Sequence, residues 1–355
     1  MIVIPLIVWL PLLLFSLIDG LALGTSVRIP FLLDIAVQVK YLVALPVLIG
    51  VEWMVHRSVV PAVRQFEERA IVRGDDIPHF RRIVASTIRL RNSVVVELVL
   101  IAFVYTVGHA IWRQNLPTEG STWFAFPTAQ GAHLTRAGYW YAWVSAPVLQ
   151  FLLLRWYFRI VVWAVFLWRV SRLQLHLIPT HPDGAAGLGF LNEVLYSFGL
   201  LPFAQGAMMS SLLAERIFYY GAKLTEFKGE IATLLVVMIL VFLGPLAVFS
   251  LDLWATKLVG LRTYGRLGSS YVLEFDRKWL HGGAAPDEAL VGSADIQSLA
   301  DLSGSYDVVR GMRATPFGIE HVIFVALVTA APIVPLVLTM IPLEELIKKV
   351  AGALF

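Results

Sequence analysis

Long apolar runs separated by shorter polar stretches dominate the pattern along this chain. A membrane-crossing helix needs about 20 predominantly apolar residues. By that measure the pattern predicts about seven spans, near 2–18, 36–55, 94–112, 139–160, 191–212, 231–251 and 319–342. Pro147, Pro245 after Gly244, and the pair Pro332 and Pro335 fall inside spans, where a missing backbone donor predicts kinks or local unwinding. The polar stretches between spans predict further helices. Pro61 is placed to open one that the Arg73–Gly74–Asp75–Asp76 stretch closes, and Phe80, Ile83, Val84 and Ile88 line one face of the next. That second helix is expected to run unbroken into the third span, from Pro78 to Trp112, about 52 Å at 1.5 Å per residue. The fourth span also extends, its apolar character continuing from Tyr139 to Trp168. In residues 252–317 an amphipathic helix is expected to end at His281–Gly282–Gly283, followed by two short helices separated at Ser303–Gly304. Residues 113–138, with Trp123, Phe124, Phe126 and Pro127, read as an interfacial aromatic segment. The fold class is therefore all-α: one polytopic transmembrane helical bundle over 1–355, with polar segments at 56–92, 169–190 and 252–317 on one side.

Composition agrees with this reading. Of 355 residues 58% are hydrophobic and 15% charged, and the mean hydropathy is +0.75. A soluble domain is excluded by those values. The net charge of +3 is small, and the basic residues stand in short blocks beside apolar runs, which suits topology control and argues against a nucleic-acid partner. The lipid bilayer is the partner the composition implies, with a second copy or another protein left open. Loops after the second, fourth and sixth spans hold most of the Lys and Arg, so those loops are expected in the cytoplasm, with the N-terminus inside and the C-terminus outside. The first span lacks a basic region before it and a small-residue cleavage site after it, and is expected to be retained. The absence of cysteine excludes disulfides, thiolate metal sites and a cysteine nucleophile.

Four stretches resemble a group of bacterial inner-membrane proteins with no assigned activity: WLPLLLFSLIDG at 9–20, RLQLHLIPTHPDGAAGLGFL at 172–191, FDRKWL at 275–280 and GSADIQSLADL at 292–302. The resemblance spans most of the chain and implies a multi-pass protein of the inner membrane. It carries no catalytic residue, ligand or cofactor.

Two groups of residues carry candidate chemistry. The first is the loop at 176–193, HLIPTHPDGAAGLGFLNE. His181, Pro182, Asp183 and Gly184 make a tight turn, and Gly187 and Gly189 are expected at close helix contacts. His176, His181 and Asp183 supply nitrogen and oxygen donors for a divalent cation, but their spacing matches no zinc signature, and a structural turn is the preferred reading. The glycines could also cradle a phosphate, yet no strand precedes them and no Lys–Ser/Thr pair follows. The DG-x-A beginning lacks the arginine and spaced aspartates of CDP-alcohol phosphotransferases. The second group comprises ionisable residues at span ends, where charge near hydrocarbon serves pairing or transport. Glu97, Arg155 and Arg159 lie near the same end of adjacent antiparallel spans, with Glu52, Glu320 and His321 at similar depth. Two readings stand: a polar cluster on the cytoplasmic side, or arginines snorkelling to headgroups beside Trp156 and Tyr157. With no H-E-x-x-H and no G-x-S-x-G, an enzyme is not supported and no cofactor is implied. A transporter or channel leads, and a non-conducting scaffold or sensor docking a partner through 252–317 competes with it.

Overall fold

Local capping sets where the helices begin. The computed structural model describes residues 3–114, 121–128, 131–285, 287–290 and 292–340. After the short apolar helix α1 (Val3–Ile18), the Asp34 carboxylate accepts the Val37 amide at 2.9 Å and opens α2 (Ile35–Glu68). A short helix, α3 (Asp76–Arg91), follows. Ser93 then stands extended as the cap of α4 (Val94–Gln114). Thr135 accepts the Gly138 amide at 2.9 Å to open α5 (Arg136–Val170). Beyond the 176–193 loop come α6 (Leu191–Tyr220), the 57-residue α7 (Leu224–Leu280), α8 (Ala294–Gly311) and α9 (Ile319–Ala330). Val334–Met340 continues α9 after a 59° bend. The sheet consists of one hairpin, β1 (Ala125–Thr128) against β2 (Gly131–Leu134).

The first six of the seven expected spans fall on helices within the described residues, and the seventh falls on a bent pair. Among the described residues five helices are long and apolar enough to cross a membrane, six when the bent pair is taken as one, short of the seven expected; α1 is shorter at 16 residues. The chain is a helical membrane protein. Residues 341 and 342 of the seventh expected span, and the C-terminus, lie outside the described residues.

The polar connections differ from expectation in four places. Pro61 opens no new helix but lies inside α2, which runs on to Glu68. At 34 residues α2 is about 51 Å long, well past a hydrocarbon core of roughly 30 Å. The helix expected from Pro78 to Trp112 is broken at Asn92–Ser93, because the Ser93 hydroxyl takes the Val96 amide and ends the ladder. Residues 294–311 form one helix, since Ser303 and Gly304 keep helical geometry while α8 packs along α7. Trp123, expected at an interface, is fully buried, donating to Asp34 at 2.8 Å and stacked edge-on to Phe31 at 4.9 Å.

These contacts define two ends of the bundle. At the hairpin end, Trp123 joins the starts of α2 and α5, and Tyr219 at the end of α6 donates to the Leu33 carbonyl at 2.7 Å. At the loop end, the buried Phe66 of α2 meets Phe80, Phe166, Phe190 and Phe249 at ring distances of 5.1 to 6.5 Å. Four helices and the 176–193 loop therefore share one aromatic core at the loop end. Proline and the 3-10 turn Gly244–Phe249 interrupt the α ladder of α7 just before that core.

Candidate functional site

A group of ionisable side chains collects toward the loop end of the long apolar helices. Counting from their hairpin-end starts, Glu52 on α2 and Arg155 on α5 lie about 26 and 29 Å along their helices. Charge is costly any deeper unless it is paired. It is paired here: Arg155 lies 3.3 Å from Glu52 and 3.3 Å from Glu97 of α4, while Arg159 reaches Glu52 at 2.8 Å. Two arginines and two carboxylates thus form one chain across three helices. Arg159 also covers the Trp156 ring at 5.0 Å, and the Trp156 indole donates to the Leu48 carbonyl at 2.8 Å. Arg155 and Arg159 are thus both paired with carboxylates in this geometry.

A cavity of about 650 Å³ opens beside this chain. Glu52, Arg155 and Arg159 stand on its wall, together with Val55, His56, Val59, Val60, Val63 and Arg64 of α2. The far side is α3, through Val84, Thr87, Ile88 and Arg91, with Trp163 and Phe166 of α5 and Phe198 of α6 beneath. Its volume falls within the range of about 300 to 1,000 Å³ usual for small-molecule sites, and apolar walls with a few polar groups are the usual composition. Sequence reasoning missed most of these residues because it ended the second span at 55. The signal was present: Val55, Val59 and Val63 recur at helical spacing between Glu52 and Arg64, a stripe that only makes sense if α2 continues through Pro61.

Glu320 and His321 are not in this network. They begin α9 at the loop end, where Glu320 pairs with Arg313 at 3.0 Å and His321 Nδ1 accepts the Gly318 amide at 3.1 Å. The His321 ring is buried against Tyr196 at 5.4 Å. Arg313 ties this group to the 176–193 loop, donating to the Asp183 carbonyl at 2.9 Å and, from its amide, to the Gly184 carbonyl at 2.8 Å. Similar depth in sequence did not become contact, because α9 packs chiefly on α6 and α7.

In the loop, the Asp183 carboxylate is enclosed by backbone. Oδ1 accepts the amides of Ala185 at 2.8 Å and Gly187 at 3.2 Å, and Oδ2 accepts that of Gly189 at 2.8 Å. His181 Nδ1 lies 2.9 Å from Oδ1. Burial raises the Asp183 pKa, but the three amides and the neighbouring His181 outweigh it and hold the carboxyl below its ordinary value. Positive φ at Gly184 (64°), Ala186 (53°) and Gly187 (101°) curls the chain around the carboxylate. The two glycines expected at helix contacts serve this turn instead. Gly187 supplies its left-handed backbone, and a Cβ on Gly189 would lie 2.9 Å from the Asp183 carboxylate. A close backbone contact between helices is instead at Gly206 of α6, where a Cβ would overlap the Thr329 carbonyl of α9.

Asp183 spends its acceptor capacity on these amides. Among the described residues no group of three or more His, Asp or Glu is placed to hold a metal ion, so His176, His181 and Asp183 do not converge as ligands. No protein-family model, no curated protein and no solved structure matches the chain.

Proposed function

We propose that this membrane protein is a transporter or channel-like protein for an ion or small solute, with the cavity at the loop end as its solute site. One observation carries the reading: the Glu52–Arg155–Glu97 chain, with Arg159, stands beside a cavity of about 650 Å³ toward the loop end of the long apolar helices. Ion pairs that can exchange partners at such a depth let a charged solute replace one partner without leaving a bare charge near hydrocarbon. The 3-10 break at Pro245 in α7 and the 59° bend after α9 mark where these helices depart from a continuous ladder and would hinge in transport. The proposed orientation puts the loop end in the cytoplasm, of a bacterial inner membrane, as the arginines of α2 and α3 suggest.

Flux into liposomes tests this. Wild-type protein is expected to move a solute from a panel of inorganic ions and small organic ions. Glu52→Gln, which orphans Arg159, should lower that flux at least tenfold while the protein still folds. A panel on which wild type moves nothing, with Glu97→Gln and Arg155→Gln leaving the cell phenotype intact, would remove the reading.

A scaffold or sensor is favoured by a different observation. The last part of α7 and all of α8 form an arm at the loop end on which Leu267, Leu273 and Leu280 are exposed. If docking is the function, deleting 282–312 should abolish a stoichiometric crosslinked partner and leave any flux unchanged.

A further inference from the structure

Two cavities flank α5, and a third joins them. The solute cavity lies on one side. On the other, between α5 and α7, is a groove of about 510 Å³ walled by Tyr157, Val161, Trp168, Leu240, Gly244 and Val248. Its walls carry no charged side chain, and Val161 and Trp168 are 57% and 49% exposed, as expected of residues facing lipid at an interface. Between them lies a void of about 10 Å³. Trp163 and Phe198 wall both this void and the solute cavity, while Ile160, Val241 and Pro245 wall both the void and the groove. An apolar groove and a charged cavity are therefore parted by one layer of side chains, chiefly the Trp163 and Phe198 rings.

The two chambers differ in charge. Arg64, Arg91, Arg155 and Arg159 stand on the cavity wall against a single carboxylate there, Glu52. Arg155 and Arg159 are occupied by Glu52 and Glu97. Arg64 and Arg91 have no ion-pair partner among the described residues, and the Arg91 Nε donates to Asn92. Two positive charges in excess, Arg64 and Arg91, on apolar walls call for an anion carrying an apolar body. The groove beside them calls for a chain.

We infer that the ligand is an anionic lipid drawn laterally from the bilayer, its acyl chain in the α5–α7 groove and its phosphate in the arginine-lined cavity, with Trp163 and Phe198 as the gate between. The proposal rests on the cavity being the solute site and names the class of solute. It places the route sideways through the wall of the bundle at headgroup depth, and not along the bundle axis.

The protein in lipid nanodiscs, doped with phosphatidic acid or phosphatidylcholine bearing the same photoactivatable chain, tests this. Phosphatidic acid is expected to label the groove segments, residues 157–168 and 240–248, at least tenfold more than phosphatidylcholine. The double change Arg64→Gln and Arg91→Gln should erase that preference while leaving phosphatidylcholine labelling as it was. Ile160→Trp, which fills the gap from the groove side, should also erase it with both arginines intact. Equal labelling by the two lipids would mean ordinary boundary lipid and overturn the proposal. So would inorganic phosphate binding to the detergent-purified protein, lost in the arginine variant, with no lipid preference in nanodiscs: the cavity would then hold a free anion. The two readings fail separately. Lipid preference without flux of any solute or lipid removes transport and keeps the lipid site; flux lost in Glu52→Gln without lipid preference does the reverse.

Discussion

Asp183 shows how one side chain can organise a loop. Its carboxylate satisfies three amides that the turn of Gly184 to Gly189 leaves without helical partners, so removing it orphans all three. Asp183→Ala should cost about 2 to 4 kcal/mol, since hydrogen bonds to a charged group are worth roughly 1.5 to 3 kcal/mol each and unpaired buried donors add to the loss. Thermal unfolding in detergent would read it. The pH dependence has a definite sign. A carboxyl held below its unfolded value of about 3.9 stabilises the fold fully above that pH and loses the contribution as pH falls through the lower folded value. The stability gap between wild type and Asp183→Asn should therefore be constant near neutrality and close only below about pH 4. Chelator should leave wild-type stability unchanged, and a chelator-sensitive protein would restore the metal reading of His176, His181 and Asp183. The turn was legible from Pro182, Asp183 and Gly184. What the glycines did was not, because a glycine required by its φ and one required by close approach look identical in sequence.

At the scale of elements, the discriminating contact is α6 against α9. Gly206→Leu drives a side chain into the Thr329 carbonyl, so overpacking should cost about 3 kcal/mol, the upper part of the usual range. Gly229→Leu, on α7 with nothing near its added Cβ, should leave the melting temperature within a few degrees of wild type. Equal destabilisation by the two would contradict the α6–α9 packing. Span positions were readable because apolar runs of membrane length have few alternatives. Helix continuity was not. Pro61 can start a helix or sit inside one, and the choice depends on packing: Ala62 and Phe66, beyond the proline, are buried, and Ser58 hydrogen-bonds Ser197 of α6. Those contacts keep α2 straight enough to carry its valine stripe past the membrane and so to build one wall of the cavity.

At the scale of the whole molecule, orientation is the open quantity that is simplest to measure. The chain contains no cysteine, so a single introduced thiol labels without background. Asp75 and Ser270 are exposed at the loop end and Thr25 and Thr225 at the hairpin end. Cysteines at the first two should react only with reagents that reach the cytoplasm, and cysteines at the second two with impermeant reagents from outside. The reverse pattern would invert the proposed orientation and place the lipid site in the outer leaflet.

The sequence by itself determined the solvent. Fifty-eight per cent hydrophobic residues in runs of membrane length leave a helical membrane bundle as the way to satisfy backbone polar groups in lipid. It also put Glu97, Arg155 and Arg159 at a similar distance along their helices, because position follows from residue count along a helix of fixed rise. Which residues at one depth become neighbours was decided only by the tertiary structure. Depth is one coordinate of three, and the helices' order around the bundle supplies the other two. That order put Glu52 beside Arg155 and Arg159, carried Glu320 and His321 away to the Asp183 loop, and left a cavity and a groove on opposite faces of α5 with Trp163 and Phe198 between them.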